Sequence, residues 1–346
     1  MSNWICRHEY RNGTSGRWWR VLWMIVFLVG LSMNSDDLRA QEVSAEGPRG
    51  KLSGTMLLPA QDGGAMVLIL PGSGPTDRDG NGPGGLRAST YRLLAQELLA
   101  RDIASVRIDK RGMFGSTLAG DPDDVRMGDY VDDVAAWISA IRARSGASCV
   151  WLLGHSDGGL VALAAGRLPA VCGVILAATP GRPLGRLLEE QLRANPANVP
   201  LLDNALAVLR ELESGRAVPA ARIDGALMPL LRPSVQGFLM SLLALEPAAM
   251  AAAIERPLLI LQGRRDIQVG VTDAVRLKQA SAHAQLVILE QANHVLKPVA
   301  SDDRVANIAT YGNPDLPLDK SIVPAIADFI ARHSPPVSPP QGSISP

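Results

Sequence analysis

Short apolar runs alternate with helix-patterned segments along most of the chain, and this alternation predicts an α/β fold. Several of the runs are apolar at every position, which is typical of strands whose two faces are both covered by helices. The runs that we interpret as strands are residues 52–58, 66–70, 103–108, 150–153, 171–176, 258–261 and 285–289. We therefore expect a mostly parallel central sheet with helices on both faces.

The alternation is interrupted after the run at 171–176. Residues from about 183 to 250 are rich in leucine and alanine. Three helices are indicated there, over 187–192, 201–212 and 238–245. They could be ordinary connecting helices, but the length and position of the insert favour a helical cap. We thus expect a domain over 41–333 with this cap, followed by a Pro- and Ser-rich tail at 334–346 that is disordered.

The first 40 residues have the composition of an export segment. Several arginines precede an apolar run at 21–33, which is too short to span a bilayer comfortably and matches the core of a signal peptide. We expect cleavage after Ala40 and a periplasmic or secreted domain. The alternative is an uncleaved anchor in the inner membrane that leaves the domain facing outward.

Charge and cysteine content change this picture only slightly. Lys+Arg and Asp+Glu both number 34, so no electrostatic argument favours a nucleic acid partner. Outside the expected export segment the cysteines are Cys149 and Cys172, each at the start of a predicted strand. In-sheet geometry is often unfavourable for a disulfide, so we expect two free buried thiols. An oxidising compartment would permit the alternative, a disulfide.

One serine lies where a predicted strand meets a predicted helix. Residues 154–158 read Gly-His-Ser-Asp-Gly, the G-x-S-x-G pattern in a strand–turn–helix context. Glycines two residues on either side of the serine let strand and helix approach closely, where side chains would clash. The turn would project the hydroxyl of Ser156 from the end of the sheet, and we interpret Ser156 as a nucleophile.

A serine is a weak nucleophile unless a base takes its proton, and the base is usually a histidine held by a carboxylate. His294 is the histidine that lies in a loop just past a late strand. Asp266 directly follows the preceding strand and gives the hydrolase chain order of serine, acid and histidine. Asp273 lies at the start of a predicted helix, where we expect an N-cap role instead.

Acyl transfer also needs hydrogen-bond donors for the developing oxyanion. We expect one to be the backbone N–H of Asp157, directly after the nucleophile. The second should come from the loop after the early strand, which reads Pro-Gly-Ser-Gly at 71–74. The backbone N–H of Ser73 is our choice within that loop.

No metal or cofactor is predicted. Residues 77–82 resemble the opening of a calcium loop, but Ala88 stands where such a loop requires a bidentate glutamate. The glycine-rich segment 80–85 lacks the Gly-Lys-Ser/Thr of a phosphate-binding loop. In the Asp-Lys-Arg-Gly segment at 109–112, we expect Asp109 and Arg111 to be hydrogen-bonded structurally rather than to react.

Taken in order, these motifs resemble the α/β-hydrolase superfamily, and are most similar to a bacterial exported esterase-like group related to the serine aminopeptidase S33 family. The segments that carry the resemblance are 71–81, 109–112, 154–159, 181–184, 263–266 and 293–297. The resemblance implies an α/β-hydrolase fold, Ser156 as nucleophile, Asp266 as acid and His294 as base. Pro71 stands where relatives often have a histidine, which leaves the backbone donors as the oxyanion hole.

The resemblance further implies hydrolysis of small-molecule carboxyl esters with short acyl groups and without a metal. The motif does not separate esters from amides, because both pass through the same tetrahedral intermediate. A serine peptidase that releases N-terminal residues is therefore an alternative, and it would need a carboxylate to hold the substrate amine. Candidates in the insert are Glu189, Glu190, Glu211 and Glu213. A non-catalytic ligand-binding homologue is the alternative from a different class.

Overall fold

The structure, a computed structural model, describes residues 40–60, 64–121 and 124–334. Residues 1–39 of the expected export segment at 1–40 and residues 335–346 of the expected tail at 334–346 lie outside the described residues. Across the described residues one sheet has the strands β1 (Ala40–Gly47), β2 (Gly50–Leu57), β3 (Met66–Leu70), β4 (Ala104–Ile108), β5 (Val150–His155), β6 (Val171–Ala177), β7 (Leu258–Gly263) and β8 (Gln285–Leu289).

The strand order is β1-β2-β4-β3-β5-β6-β7-β8. The strands from β4 to β8 in this order pair in parallel, and β1 and β2 add an antiparallel edge. The prediction of a mostly parallel sheet is confirmed. Because parallel strands end at the same edge, the loops that follow β3, β5, β7 and β8 meet there.

Helices cover both faces of the sheet. Those that pack on it are α1 (Thr90–Leu99), α2 (Met127–Ser145), α3 (Asp157–Ala165), α9 (Val271–Ala280) and α11 (Ile322–His333). Side chains of β3 alternate between the two faces: Leu68 joins the core beneath α2 and α3, and Ile69 joins the core beneath α1 and α11. Burying an aliphatic side chain of this kind contributes roughly 1.5–3 kcal/mol, which explains the continuous apolar runs.

The segment between β6 and β7 folds into further helices, as its leucine spacing indicates. They are α4 (Leu184–Ala194), α5 (Leu202–Glu213), α6 (Met228–Leu231), α7 (Pro233–Leu243) and α8 (Pro247–Ala252), and a short α10 (Arg304–Ala309) follows β8. Helices α4 to α7 share an apolar core of their own, which also touches Leu160 of α3 and Val269. We call α4 to α7 and their connections the inserted helices.

Among the described residues, no single helix is both long and apolar enough to cross a membrane. The segments Gly225–Leu231 and Pro233–Leu243, bent by 54°, meet the length and composition criteria only as a pair.

Strand β1 is not among the strands expected from the sequence. It pairs along its whole length with β2, but only Val43 and Ala45 of its residues are buried. An edge strand with two buried positions lacks the continuous apolar run that marked the other strands. The hydrophobic pattern therefore carried too little signal to reveal it.

The two cysteines form a disulfide, so the expectation of two free thiols is wrong. The Cα atoms of Cys149 and Cys172 lie 5.2 Å apart. The pairing of β5 with β6 shifts register here: Val150 pairs with Val171, but Trp151 pairs with Gly173. Cys172 is thus the extra residue of a bulge, which removes it from the regular in-sheet geometry that disfavours a bridge.

Candidate active site

Ser156 lies on a strained turn between β5 and α3. Its backbone has φ 54° and ψ −125°, a region that residues other than glycine rarely occupy. A Cβ atom at Gly154 would lie 2.2 Å from the carbonyl oxygen of Gly158. A Cβ at Gly158 would in turn lie 2.3 Å from the carbonyl oxygen of Leu70. The glycines of the motif are therefore required by contact, and the turn presents Ser156 at the edge where the strands end.

His294 and Asp266 meet although 28 residues separate them in the chain. Asp266 follows β7 and His294 follows β8, and His294 Nδ1 lies 2.8 Å from Asp266 Oδ2. The other carboxylate oxygen accepts hydrogen bonds from the backbone N–H groups of Gln268 and Val269, at 2.8 and 2.9 Å. A carboxylate in this position keeps the proton on Nδ1 and leaves Nε2 free to act as a base.

The acidity of Asp266 fits this role. Burial alone would raise the pKa of its fully enclosed carboxyl group. The charge of His294, the hydrogen bond to His294 and the two backbone donors outweigh burial, so the pKa of Asp266 lies below its usual range. Asp266 is consequently ionised at neutral pH.

Ser156 and His294 line the same cavity, which has a volume of about 340 Å³. Ser73 and Asp157 line it as well. Asp266 lies behind His294, outside the lining. The structure thus brings all five sequence-predicted site residues to one edge of the sheet.

The loop at 71–74 approaches the serine closely. A Cβ atom at Gly72 would lie 3.2 Å from the Cβ of Ser156. In the described part of the chain, the backbone N–H groups of Ser73 and Asp157 donate no hydrogen bond to another protein group. Two uncommitted donors beside a serine are what an oxyanion hole requires.

A buried chain of hydrogen bonds lies behind Ser156, and the sequence analysis did not predict it. The hydroxyl of Tyr91 accepts a hydrogen bond from the backbone N–H of Gly72 at 2.9 Å. The same hydroxyl donates a hydrogen bond to His155 Nδ1, also at 2.9 Å. His155 Nε2–H donates to the carbonyl oxygen of His294 at 2.7 Å. Burial, with a smaller contribution from His294, lowers the pKa of His155 to about 4, so this ring is neutral at pH 7. The chain ties the loop at 71–74 to the backbone of His294.

Lys110 lies in the Asp-Lys-Arg-Gly segment noted in the sequence, but the sequence analysis assigned it no role. Its Nζ donates to the carbonyl oxygen of Gly72 at 2.6 Å and to that of Gly74. The residues beside it are committed elsewhere, because Asp109 binds Arg78 and Arg111 binds the carboxylates of α2. Asp109 and Arg111 thus have the structural contacts expected of them. The lysine between them reaches the site because β4 lies next to β3 in the sheet.

The far wall of the cavity is mostly apolar, with Gln191 and Arg232 as polar exceptions, and comes mainly from the inserted helices. The residues that line it there are Leu184, Leu187, Leu188, Gln191, Pro229, Leu230, Arg232, Val235, Phe238, Leu239 and Leu242. A site with polar groups on its floor and aliphatic side chains on its wall suits a ligand with one polar centre and an apolar substituent.

Asp273 has a different role from the expected N-cap, so that expectation is wrong. The residue that caps α9 is Gly270. Asp273 is fully buried and accepts hydrogen bonds from the backbone N–H of Gly181 and from Arg182 Nε, at 3.0 and 3.1 Å. The carboxylate thus joins α9 to the start of the inserted segment.

The segment that resembled a calcium loop is held by protein contacts. Asp77 accepts the backbone N–H groups of Asp79 and Asn81, and Asp79 pairs with Arg107. Over residues 40–60, 64–121 and 124–334, no three metal-binding side chains lie close enough together to hold an ion.

Comparisons with known proteins agree with this geometry. The model of the alpha/beta hydrolase family matches residues 67–308. The chain is 24% identical over 313 residues to Esterase EstD of Thermotoga maritima, covering 87% of this chain and 69% of that protein.

Solved structures show the same fold. The esterase domain of a Rhodothermus marinus protein superposes with a TM-score of 0.52 at 21% identity, covering 85% of this chain and 98% of that one. The Pyrococcus furiosus esterase Pf2001 gives 0.53 at 17% identity, covering 85% and 91%. The family match spans more than half of the sequence and includes the serine, the acid and the histidine. This chain belongs to the alpha/beta hydrolase family.

Proposed function

We propose that the protein is a serine carboxylesterase that hydrolyses small esters with short acyl groups. The observation that carries the proposal is the placement of Ser156 on a strained turn in the same cavity as His294, whose Nδ1 is held by Asp266 at 2.8 Å. The similarity to Esterase EstD supports an ester as the substrate.

The reaction begins with attack of Ser156 Oγ on the acyl carbonyl carbon, while His294 Nε2 takes the hydroxyl proton. The carbonyl π electrons move to oxygen, and this oxyanion accepts hydrogen bonds from the backbone N–H groups of Ser73 and Asp157. When the carbonyl re-forms, the C–O bond to the alcohol breaks and His294 gives its proton to the departing oxygen. Water, deprotonated by the same histidine, then attacks the acyl-enzyme and releases the acid and Ser156.

The cavity supports the assignment to short acyl groups. Its volume of about 340 Å³ is at the small end for ligand pockets, and its wall is mostly apolar. We expect ester turnover to fall for acyl chains longer than about six to eight carbons, because longer chains exceed a pocket of this class.

A peptidase on the same three residues remains the alternative activity. The glutamates considered for binding an amine are absent from the described lining of the cavity. Glu189 pairs with Arg193, Glu190 with Arg182, and Glu211 with Arg216. Glu213 is exposed. Arginines that bind three of these glutamates, and the absence of all four from the lining, favour esters over aminoacyl substrates. The closer resemblance to the serine aminopeptidase S33 group stays a prediction.

Export to the periplasm or the medium is part of the proposal. The arginines and apolar run of the first 40 residues support it. The disulfide between Cys149 and Cys172 also supports it, because disulfides persist in oxidising compartments and are rare in the cytoplasm. Cell fractionation with N-terminal sequencing of the mature protein distinguishes a cleaved leader from an inner-membrane anchor.

Two measurements test the activity. A fluorophosphonate should label the protein at Ser156, which peptide mass mapping locates, and absence of that adduct would favour a non-catalytic binder. A panel of p-nitrophenyl esters against aminoacyl anilides then separates the two activities. Rapid anilide cleavage with negligible ester turnover would overturn the assignment as an esterase.

A further inference from the structure

We propose that Lys110 is a positioning residue of the oxyanion hole, which holds the loop at 71–74 so that the N–H of Ser73 faces the developing oxyanion. The proposal rests on the serine hydrolase function proposed above. It explains how a donor on a glycine-containing loop is held in place before the substrate binds.

The contacts of Lys110 bracket Ser73. Its Nζ donates hydrogen bonds to the carbonyl oxygens of both Gly72 and Gly74, the residues on either side of Ser73. Gly74 has φ +70° and a hypothetical Cβ there would meet nothing within 4 Å, so side-chain packing does not restrain the loop at this point. Thr76 donates to the carbonyl oxygens of Ser73 and Gly74, and the ammonium group of Lys110 adds a restraint on the other side of Ser73 by drawing the carbonyls of Gly72 and Gly74 together.

Peptide geometry transmits this restraint to the donor. The carbonyl of Gly72 and the N–H of Ser73 belong to one planar peptide unit, which is trans like every other in the described chain. In a trans peptide these two groups point in opposite directions. A cation that holds the carbonyl therefore aims the N–H, and a charge-assisted hydrogen bond at the oxygen also polarises the unit.

The preceding peptide unit is held independently. The backbone N–H of Gly72 donates to the hydroxyl of Tyr91 at 2.9 Å, and Tyr91 is itself bound to His155. Gly72 is thus anchored through its N–H by Tyr91 and through its carbonyl by Lys110. With both anchors in place, the peptide between Gly72 and Ser73 has little freedom to rotate.

The charge of Lys110 can be lost within an accessible pH range. Burial lowers the pKa of Lys110 to about 8, although Asp157 favours the charged form. The other charged or titratable groups that line its two neighbouring cavities are Asp109, Asp133, Tyr130, Arg232 and His294. Asp109 and Asp133 are paired with arginines. Lys110 should consequently lose its positive charge, and the loop at 71–74 its charged hydrogen-bond donor, as the pH rises through about 8.

Lys110→Met, which keeps the length of the stem and removes the charge, tests the proposal. We expect kcat for p-nitrophenyl butyrate to fall by ~10- to 100-fold, less than the ~10²–10³-fold cost of deleting an oxyanion donor outright. KM should stay within about twofold, because the oxyanion exists only in the transition state. The affinity for a trifluoromethyl ketone, which forms a tetrahedral adduct, should fall in parallel with kcat/KM.

The pH profile provides a readout that a structural lysine would not move. Wild-type kcat should decline as the pH rises through about 8. That decline should be absent in Lys110→Met and shifted to higher pH in Lys110→Arg, whose guanidinium stays charged. If Lys110→Met does not fold, the shift in Lys110→Arg decides the proposal.

Lys278→Met is the matched control, since Lys278 also donates to a backbone carbonyl but lies on α9, and its kinetics should equal those of the wild type. A Lys110→Met enzyme with kcat within twofold of the wild type, or with KM alone altered, would overturn the proposal. An alkaline decline that is identical in wild type and Lys110→Arg would overturn it too. Failure of the wild type itself to hydrolyse esters or accept the fluorophosphonate would instead refute the proposed function.

Discussion

At the residue scale, strain and reactivity coincide in Ser156. Its φ of 54° and ψ of −125° cost a residue other than glycine about 1–3 kcal/mol. The conformation fits the close approach of β5, α3 and β3, which Gly154 and Gly158 allow because a Cβ at either position would clash with backbone atoms. The residue with this strained backbone is therefore also the proposed nucleophile.

Replacing Ser156 by alanine or glycine should therefore separate activity from stability. Both variants should lose at least ~10³-fold in kcat/KM, because the nucleophile is gone. Ser156→Gly should be about 1 kcal/mol more stable than Ser156→Ala, since glycine tolerates positive φ but loses more chain entropy on folding. Urea unfolding followed by circular dichroism measures the difference, and a less stable glycine variant would contradict the argument.

At the element scale, α4 forms one wall of the cavity through a single face. Leu184, Leu187, Leu188 and Gln191 line it, and their spacing of three and four residues puts them on one side of the helix. The identity of these residues should set the length of acyl chain that the site accepts.

Leu188→Ala should widen the range of substrates. The shortened side chain leaves room for added methylenes, so we expect the kcat/KM ratio of octanoate to butyrate esters to rise roughly tenfold. Leu192→Ala is the control, because Leu192 lies one turn further along α4, is partly buried and does not line the cavity. Equal ratios for the two variants would show that α4 does not select the acyl group.

The disulfide also acts at the element scale, because it joins the adjacent strands β5 and β6. Cys149 precedes β5, whereas Ser156 follows the opposite end of that strand. The loop that the bridge closes spans 23 residues, so replacing both cysteines by serine should cost about 3 kcal/mol of unfolding free energy. Ester turnover at 25 °C should stay within about twofold, because the substituted sites lie away from the cavity and the fold is retained.

Denaturant unfolding of the double variant and of the wild type measures this cost. Wild type treated with a reductant should match the double variant. A wild type whose stability is insensitive to reductant would contradict the role assigned to the bridge.

At the scale of the whole molecule, the site depends on segments that are far apart in the chain. Tyr91 and His155 are 64 residues apart, and His155 and His294 are 139 residues apart, yet one hydrogen-bonded chain connects them. Its central ring is neutral and fully buried, so protonation of His155 opposes folding of the whole domain.

Acid should therefore destabilise the protein through His155. Its pKa is about 4 in the folded state against 6.5 in the unfolded chain, so the unfolded state binds the proton first as the pH falls. Stability should decline from pH 6.5 towards pH 4 by up to about 3 kcal/mol from this group. His155→Gln should show a shallower decline in thermal unfolding between pH 4 and 7, and an unchanged slope would contradict the assignment.

The fold and the candidate site residues could be predicted because their signals are local in the chain. Continuous apolar runs marked the covered strands, and a glycine-bracketed serine between strand and helix marked the turn at Ser156. Asp266 and His294 could be chosen because each follows a strand and the ends of parallel strands share one edge. Strand β1 was missed, since an edge strand buries few residues, and the N-cap role predicted for Asp273 was wrong, since a carboxylate's partner depends on packing.

By itself the sequence determined most of the elements and named the candidate reactive side chains, because periodicity and turn geometry are encoded over a few residues. Only the tertiary structure decided what supports that chemistry. The order of strands placed Lys110 of the β4 loop against Gly72 of the β3 loop. A register shift between β5 and β6 brought Cys149 to Cys172, and close packing buried Tyr91 against His155. Such contacts join residues distant in the chain, so they arise from sheet order and register rather than from local pattern.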